Sequence, residues 1–184
     1  FEHDLDPLRL ALTHQKQFPH LRHEAPHRLV DAGRFERGAL RWRLRLGDFL
    51  ETFPDEPAPD VILYDPFSAA VDGAMWHHAT FARLHAHGTG TTELLTYSAS
   101  TAVRSALLAA GFWVARGAAS GPKADTTIAV RVARAADVAS RTLLDAAWLA
   151  RRERSTARLG SDVPAALVAE LEARVVGHPQ FARR

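Results

Sequence analysis

Between Val61 and Val132 the chain alternates short apolar runs with amphipathic stretches that end on glycine, and this restricts the fold more than any other feature. Val61-Ile62-Leu63-Tyr64 is a continuous apolar run ending on Asp65, the pattern of a strand buried on both faces of a parallel sheet. Residues 75 to about 87 read as a helix closed by Gly88, and residues 93 to 98 as the next strand. Residues 101 to 110 read as a helix apolar at Ala102, Val103, Ala106, Leu107 and Ala110, with Gly111 as its left-handed cap. Residues 112 to 115 and 126 to 132 are strand-like, joined by a loop containing Gly121-Pro122-Lys123. Strand and helix in alternation specify an α/β fold, a mostly parallel doubly wound sheet with a terminal antiparallel hairpin.

Upstream, residues 40 to 46 place Leu40, Trp42, Leu44 and Leu46 on one face and Arg41, Arg43 and Arg45 on the other, as in a strand with one face exposed. That strand ends at Gly47-Asp48. Asp4-Leu5-Asp6-Pro7 reads as a helix start with Asp6 as N-cap and Pro7 at the first helical position, which puts Glu2 at a strand end or in the preceding turn. A histidine-rich linker and a short helix from about Ala25 to Gly33 follow. From Ala135 the character changes to two amphipathic helices. One is apolar at Val138, Leu144, Ala147 and Trp148; the other opens at Asp162-Val163-Pro164 and is apolar at Leu167, Leu171 and Val175. The expected organisation is a main domain over residues 1–134 and a helical extension over 135–184.

Composition excludes several classes. With no cysteine there is no disulfide framework and no thiolate metal site. No apolar run approaches the roughly 20 residues of a membrane helix, and the first residues do not resemble a signal peptide. A soluble cytoplasmic protein is expected. The net charge is +2, and of the 23 basic residues only Lys16 and Lys123 are lysine. Arginine suits phosphate contacts, although GC-rich coding produces the same bias. His20, His23 and His27 have the spacing of one helical face, but Pro19 and Pro26 break that helix and no acid pairs with them. No metal site is expected.

Ligands of open α/β sheets bind outside the carboxyl ends of the strands, where Glu2, Asp48 and Asp65 fall in this reading. One such acid can accept hydrogen bonds from the vicinal hydroxyls of a ribose, and one after the next strand can accept from an adenine amino group, so the pattern points to a nucleoside cofactor. Asp48 fits a helix N-cap equally well. Asp65-Pro66-Phe67-Ser68 is the sharper feature. Methyl transfer to an amine needs a free nitrogen lone pair in line with the methyl group; Asp65 can hold and orient the amine, Pro66 fixes the backbone, and Phe67 can stack on a flat base or cover a methionine sulfonium by a cation-π contact. Lys123 fits a nucleic-acid contact or a plain loop lysine. Arg151, Arg152, Arg154 and Arg158 fit a phosphate-binding stripe or the polar side of an amphipathic helix, with Trp148 as that helix's core anchor.

Leu63-Tyr64-Asp65-Pro66-Phe67-Ser68, Met75-Trp76, Thr96-Tyr97-Ser98-Ala99, Val103-Arg104, Ala109-Ala110-Gly111-Phe112 and Gly121-Pro122-Lys123 occur in an order and spacing that resembles the MnmC/MnmD-type methyltransferases. These enzymes methylate the 5-aminomethyl group of a wobble (2-thio)uridine in tRNA. The resemblance runs from Glu2 to about Val132. It implies a Rossmann-like class I methyltransferase with S-adenosyl-L-methionine as cofactor, tRNA as partner, and other enzymes supplying the 5-aminomethyluridine. It also implies Asp65 as the catalytic group and Phe67 and Lys123 as substrate contacts, with Glu2, Gly47, Asp48, Asp65 and Pro66 at the cofactor.

Two departures stand out. Residues 69 to 73 are Ala-Ala-Val-Asp-Gly where the family has a proline- and lysine-containing run. No glycine-rich strand-turn-helix is present, and the expectation is that an upstream βα unit of roughly 30 residues is missing, leaving residues 61 to 64 with an apolar edge. The alternatives are a catalytically incomplete tRNA-binding remnant and an amino methyltransferase acting on another nucleic-acid base. No flavin fingerprint follows the domain.

Overall fold

The structure, a computed structural model, describes residues 1–119, 125–132, 134–161 and 163–182, and divides into the units Phe1–Pro57 and Ala58–Arg184. In the first unit, α1 (Asp6–Thr13) and α2 (Glu24–Ala32) precede a hairpin of β1 (Arg34–Arg37) and β2 (Leu40–Arg43), followed by the single-turn α3 (Phe49–Thr52). Leu21, Ala25 and Phe35 are buried here, as are Leu5 and Phe53. Gly33 closes α2 at φ 67°, and Gly38, at φ 60°, begins the two-residue loop whose positive φ suits a tight hairpin.

Three expectations change in this unit. Pro7 lies in the first turn of α1 as anticipated, but the N-cap is Leu5, and the Asp4 carboxylate accepts the Asp6 N–H at 2.9 Å. Pro26 sits inside the first turn of α2 and breaks nothing, because an N–H there has no helical acceptor in any case. The strand expected over residues 40 to 46 stops at Arg43, and Leu40, Trp42 and Leu46 are exposed. Among the described residues its ladder partner is β1 alone, which shields one edge and neither face.

The second unit holds β3 (Val61–Leu63), α4 (His78–His87), β4 (Thr92–Thr96), α5 (Thr101–Ala109), β5 (Trp113–Gly117), β6 (Thr126–Arg131), α6 (Ala146–Glu153) and α7 (Ala165–Val176). Its sheet runs β3-β4-β6-β5. β3 and β4 are parallel, with Leu63 opposite Leu95; β6 is antiparallel to both β4 and β5. The sheet is therefore mixed. The terminal antiparallel hairpin is as expected, and parallel pairing within this sheet is confined to β3 and β4. Phe81, Leu94, Leu107, Phe112, Val114 and Val130 form the core, each worth about 1.5–3 kcal/mol of apolar burial. β3 keeps an open edge, with Leu63 81% exposed while Tyr64 is buried. The helix expected from residue 75 is two pieces, a 3-10 turn at Gly73–Trp76 and then α4.

The C-terminal helices pack on the same sheet unit. The fully buried Arg152 of α6 donates to Ser105 Oγ at 2.7 Å and to Glu172 at 2.7 Å, so it belongs to no surface stripe; Arg151, Arg154 and Arg158 are exposed. Trp148 is buried, as its anchor reading requires. Asp162 lies outside the described residues. No helix among the described residues is long and apolar enough to cross a membrane.

Candidate functional site

In the first unit the backbone brings Glu2, Gly47 and Asp48 together. Glu2 and Leu46 form a parallel bridge, the Glu2 N–H donating to Arg45 O at 2.9 Å and the Gly47 N–H to Glu2 O at 3.0 Å. Gly47 has φ 129°, a conformation that side-chain-bearing residues rarely adopt. The turn is thereby fixed with two carboxylates beside it. Asp48 caps α3, accepting the Leu50 N–H at 2.7 Å, so the capping reading holds for one oxygen. Glu2 accepts the N–H groups of His3 and Asp4 at 3.0 and 3.5 Å through Oε1. Each carboxylate keeps its second oxygen without a hydrogen bond among the described residues, and both side chains are exposed.

In the second unit, Asp65-Pro66-Phe67-Ser68 follows β3 at the carboxyl edge of the parallel pair. Two aromatic side chains hold this turn from behind. The Tyr64 hydroxyl donates to Met75 O, and its ring packs against Trp76 and Phe81. The Trp76 indole N–H donates to Phe67 O at 2.6 Å. Burial, with Asp72 adding to it, holds the Tyr64 phenol well above its ordinary range, so it remains a donor. Ser68 O accepts the N–H groups of Val71 and Asp72 at 2.8 and 2.9 Å, which closes residues 68 to 72 into a turn. Asp65 is exposed and Phe67 is 74% exposed. An acceptor carboxylate and a flat ring thus stand in solvent on a backbone pinned at both ends.

The same sheet edge carries the end of β4 and the start of β6, since Thr96 is opposite Thr127. Thr127 Oγ1 donates to Ser98 O at 2.6 Å, and Ser100 caps α5 by accepting the Val103 N–H at 3.2 Å. The buried Arg104 ties these pieces together, donating to Thr127 Oγ1 at 3.0 Å, Thr126 O at 3.0 Å and Asp125 Oδ1 at 3.1 Å. Arg116 reaches the other Asp125 oxygen at 3.5 Å. Lys123 and the rest of Gly121-Pro122-Lys123 lie outside the described residues.

Of the residues singled out by sequence, Glu2, Gly47 and Asp48 come together in one unit and Asp65, Pro66 and Phe67 in the other. Sequence reading misses the supporting roles of Tyr64, Trp76 and Arg104. The available signal is the demand of an indole or a buried guanidinium for hydrogen-bond partners. The linker histidines are engaged locally: His23 Nδ1 accepts the Ala25 N–H at 3.1 Å, and His27 Nε2 lies 3.2 Å from Leu21 O. No group of potential metal ligands occurs among the described residues.

The sequence model of a family described as S-adenosyl-L-methionine-dependent methyltransferase matches residues 13–132. The chain is 33% identical over 141 residues to the tRNA 5-methylaminomethyl-2-thiouridine biosynthesis bifunctional protein MnmC of Ralstonia nicotianae, a match covering 70% of this chain and 21% of that protein. It is 31% identical over 156 residues to the protein of the same name from Pseudomonas syringae pv. syringae, covering 84% of this chain and 21% of that one. The chain therefore spans about a fifth of the length of these relatives. The solved structure of MNMC2 from Aquifex aeolicus matches 55% of this chain and 34% of its own, with 25% identity and a TM-score of 0.48.

Proposed function

Because the chain belongs to the S-adenosyl-L-methionine-dependent methyltransferase family, we propose that it transfers a methyl group to the 5-aminomethyl nitrogen of a wobble (2-thio)uridine in tRNA. Residues 1–134 form the methyltransferase portion in this reading and 135–184 its helical extension. The observation that carries the proposal is the Asp65-Pro66-Phe67 turn, pinned by Tyr64 and Trp76 with its carboxylate and ring left open. The names of the MnmC relatives support the tRNA substrate.

S-adenosyl-L-methionine, when bound, supplies the electrophilic methyl group. The residues of the first unit fit it: the open oxygens of Glu2 and Asp48 suit ribose hydroxyls and an adenine amino group, and Gly47 leaves the turn between them without a side chain. Asp65 accepts hydrogen bonds from the substrate amine and so fixes the direction of the nitrogen lone pair. A carboxylate favours the ammonium form, which makes positioning its role rather than deprotonation. Phe67 stacks on the pyrimidine, Pro66 keeps the backbone between them stiff, and Lys123 contacts tRNA or the uridine. Other enzymes must supply the 5-aminomethyl group.

The test combines calorimetric titration of S-adenosylhomocysteine into the chain with transfer of labelled methyl to tRNA bearing 5-aminomethyluridine, and to DNA with free adenine and cytosine amino groups. Cofactor binding with transfer to tRNA alone is expected. Transfer to DNA alone would assign an exocyclic base amine instead. tRNA binding without S-adenosylhomocysteine binding would make the chain a non-catalytic RNA-binding module.

A further inference from the structure

We propose that one face of the β1–β2 ribbon docks the phosphate backbone of RNA, an inference that rests on the tRNA reading above. In the ladder Arg34 is opposite Arg43, Phe35 opposite Trp42 and Glu36 opposite Arg41. Side chains alternate along a strand, so Arg34, Glu36, Arg41 and Arg43 share one face, and Arg45 continues it. Arg43 and Arg45 agree with that register, because both reach the carboxylate of Glu56.

This face is built against its own stability. Like charges directly opposite each other weaken a strand pair, and Arg34 faces Arg43. Glu56 is shared between two guanidinium groups, so it neutralises only one of them. Arg34 and Arg41 are exposed and form no ion pair among the described residues. Glu36, although opposite Arg41, is not paired with it.

The occupant that fits is a repeating polyanion. Residues two apart along a strand lie about 6.6 Å apart, so Arg41, Arg43 and Arg45 present guanidinium groups at regular intervals along β2 and its continuation, with Arg34 of β1 beside Arg43. Guanidinium binds phosphate oxygens bidentately, and a backbone of successive phosphates engages several groups at once where a single carboxylate engages one. Anion binding also removes the repulsion between Arg34 and Arg43, so the ribbon becomes more stable when it is occupied. These contacts carry no sequence information, so they position the RNA without selecting among its bases.

The experiment measures tRNA binding by fluorescence anisotropy across a salt series. It compares the parent chain, the double variant Arg34→Ser/Arg41→Ser, and the control Arg134→Ser/Arg174→Ser, two exposed arginines outside the ribbon strands, with S-adenosylhomocysteine titrated into each preparation. The ribbon variant should bind tRNA about tenfold more weakly, and its slope of log K against log salt should fall by roughly one for each phosphate no longer neutralised. The control should bind tRNA like the parent, and all three should bind S-adenosylhomocysteine equally. Unchanged tRNA affinity in the ribbon variant, or an equal loss in the control, overturns the docking surface and leaves the methyltransferase reading standing. A parent chain that binds S-adenosylhomocysteine but neither binds nor methylates tRNA overturns the tRNA reading, and the ribbon inference with it.

Discussion

Arg104 on α5 donates to Asp125 across 21 residues of sequence at 3.1 Å, with only 6% of the arginine side chain exposed. The same guanidinium holds Thr126 O and Thr127 Oγ1, so one side chain fixes the start of β6 against the first turn of α5. Arg104→Met leaves Asp125 to Arg116 alone and strips two further acceptors. A loss of about 3 kcal/mol in a urea melt is expected, the usual scale for removing one partner of a buried pair. Arg104→Lys should recover part of it through one ammonium group, which lacks the planar fork that serves these three acceptors. An unchanged midpoint for the methionine variant would show that the network is not what holds this edge.

Asp65→Ala should lower methyl transfer by about a hundredfold or more, the scale on which losing an orienting contact at the reacting centre acts. Affinity for S-adenosylhomocysteine should stay within a few-fold. Asp65 is exposed and the turn around it is held by Tyr64 and Trp76, so folding is not at issue. Loss of cofactor binding together with activity would reassign Asp65 to the cofactor.

Trp76→Phe keeps the ring but removes the N–H that donates to Phe67 O. The stability cost should be small, about 1 kcal/mol, the net worth of one hydrogen bond. Turnover should fall more than stability suggests, because the Phe67 carbonyl loses its anchor. Comparison of the variant's thermal midpoint with its single-turnover rate separates the two; a rate equal to the parent's would mean that the turn is held without the indole.

Acid sensitivity should trace to His178. Burial is the main cause that lowers its pKa from the ordinary 6.5, a backbone hydrogen bond at Gly111 pulls the other way, and His85 adds a smaller lowering. His85 is itself lowered, first by burial and then by Arg131. The unfolded chain therefore takes up these protons at a higher pH than the folded one. The stability from both groups is complete above about pH 6.5 and is lost progressively as the pH falls below it. The thermal midpoint should drop between about pH 7.5 and pH 5.5, and His178→Asn, which can still cap the Gln180 N–H, should show a shallower drop. An equally steep drop in the variant would place the effect elsewhere.

The strands and helices from β3 to β6 are readable in the sequence because their apolar periods and closing glycines are local. β1 is not: Arg34-Phe35-Glu36-Arg37 carries a single apolar residue, and only its pairing with β2 makes it a strand. Trp42 reads as half of a buried face, yet its side chain stands exposed. At the site, Asp65-Pro66-Phe67-Ser68 is legible because a proline and an acid after a strand carry local meaning. Arg104 and Arg152 are not, since an arginine on a helix reads as surface until a distant carboxylate or hydroxyl compensates its burial.

The closure of residues 65 to 76 by Tyr64 and Trp76 bears on how this protein would meet its substrate. Ordering a loop after the ligand arrives makes affinity depend on the entropy lost at that moment. Here the hydroxyl and the indole bring the turn to rest as the chain folds. On the function proposed above, an incoming base would meet a surface already shaped, and discrimination among nucleosides would rest on fit to a standing contour rather than on which ligand can best still a moving one.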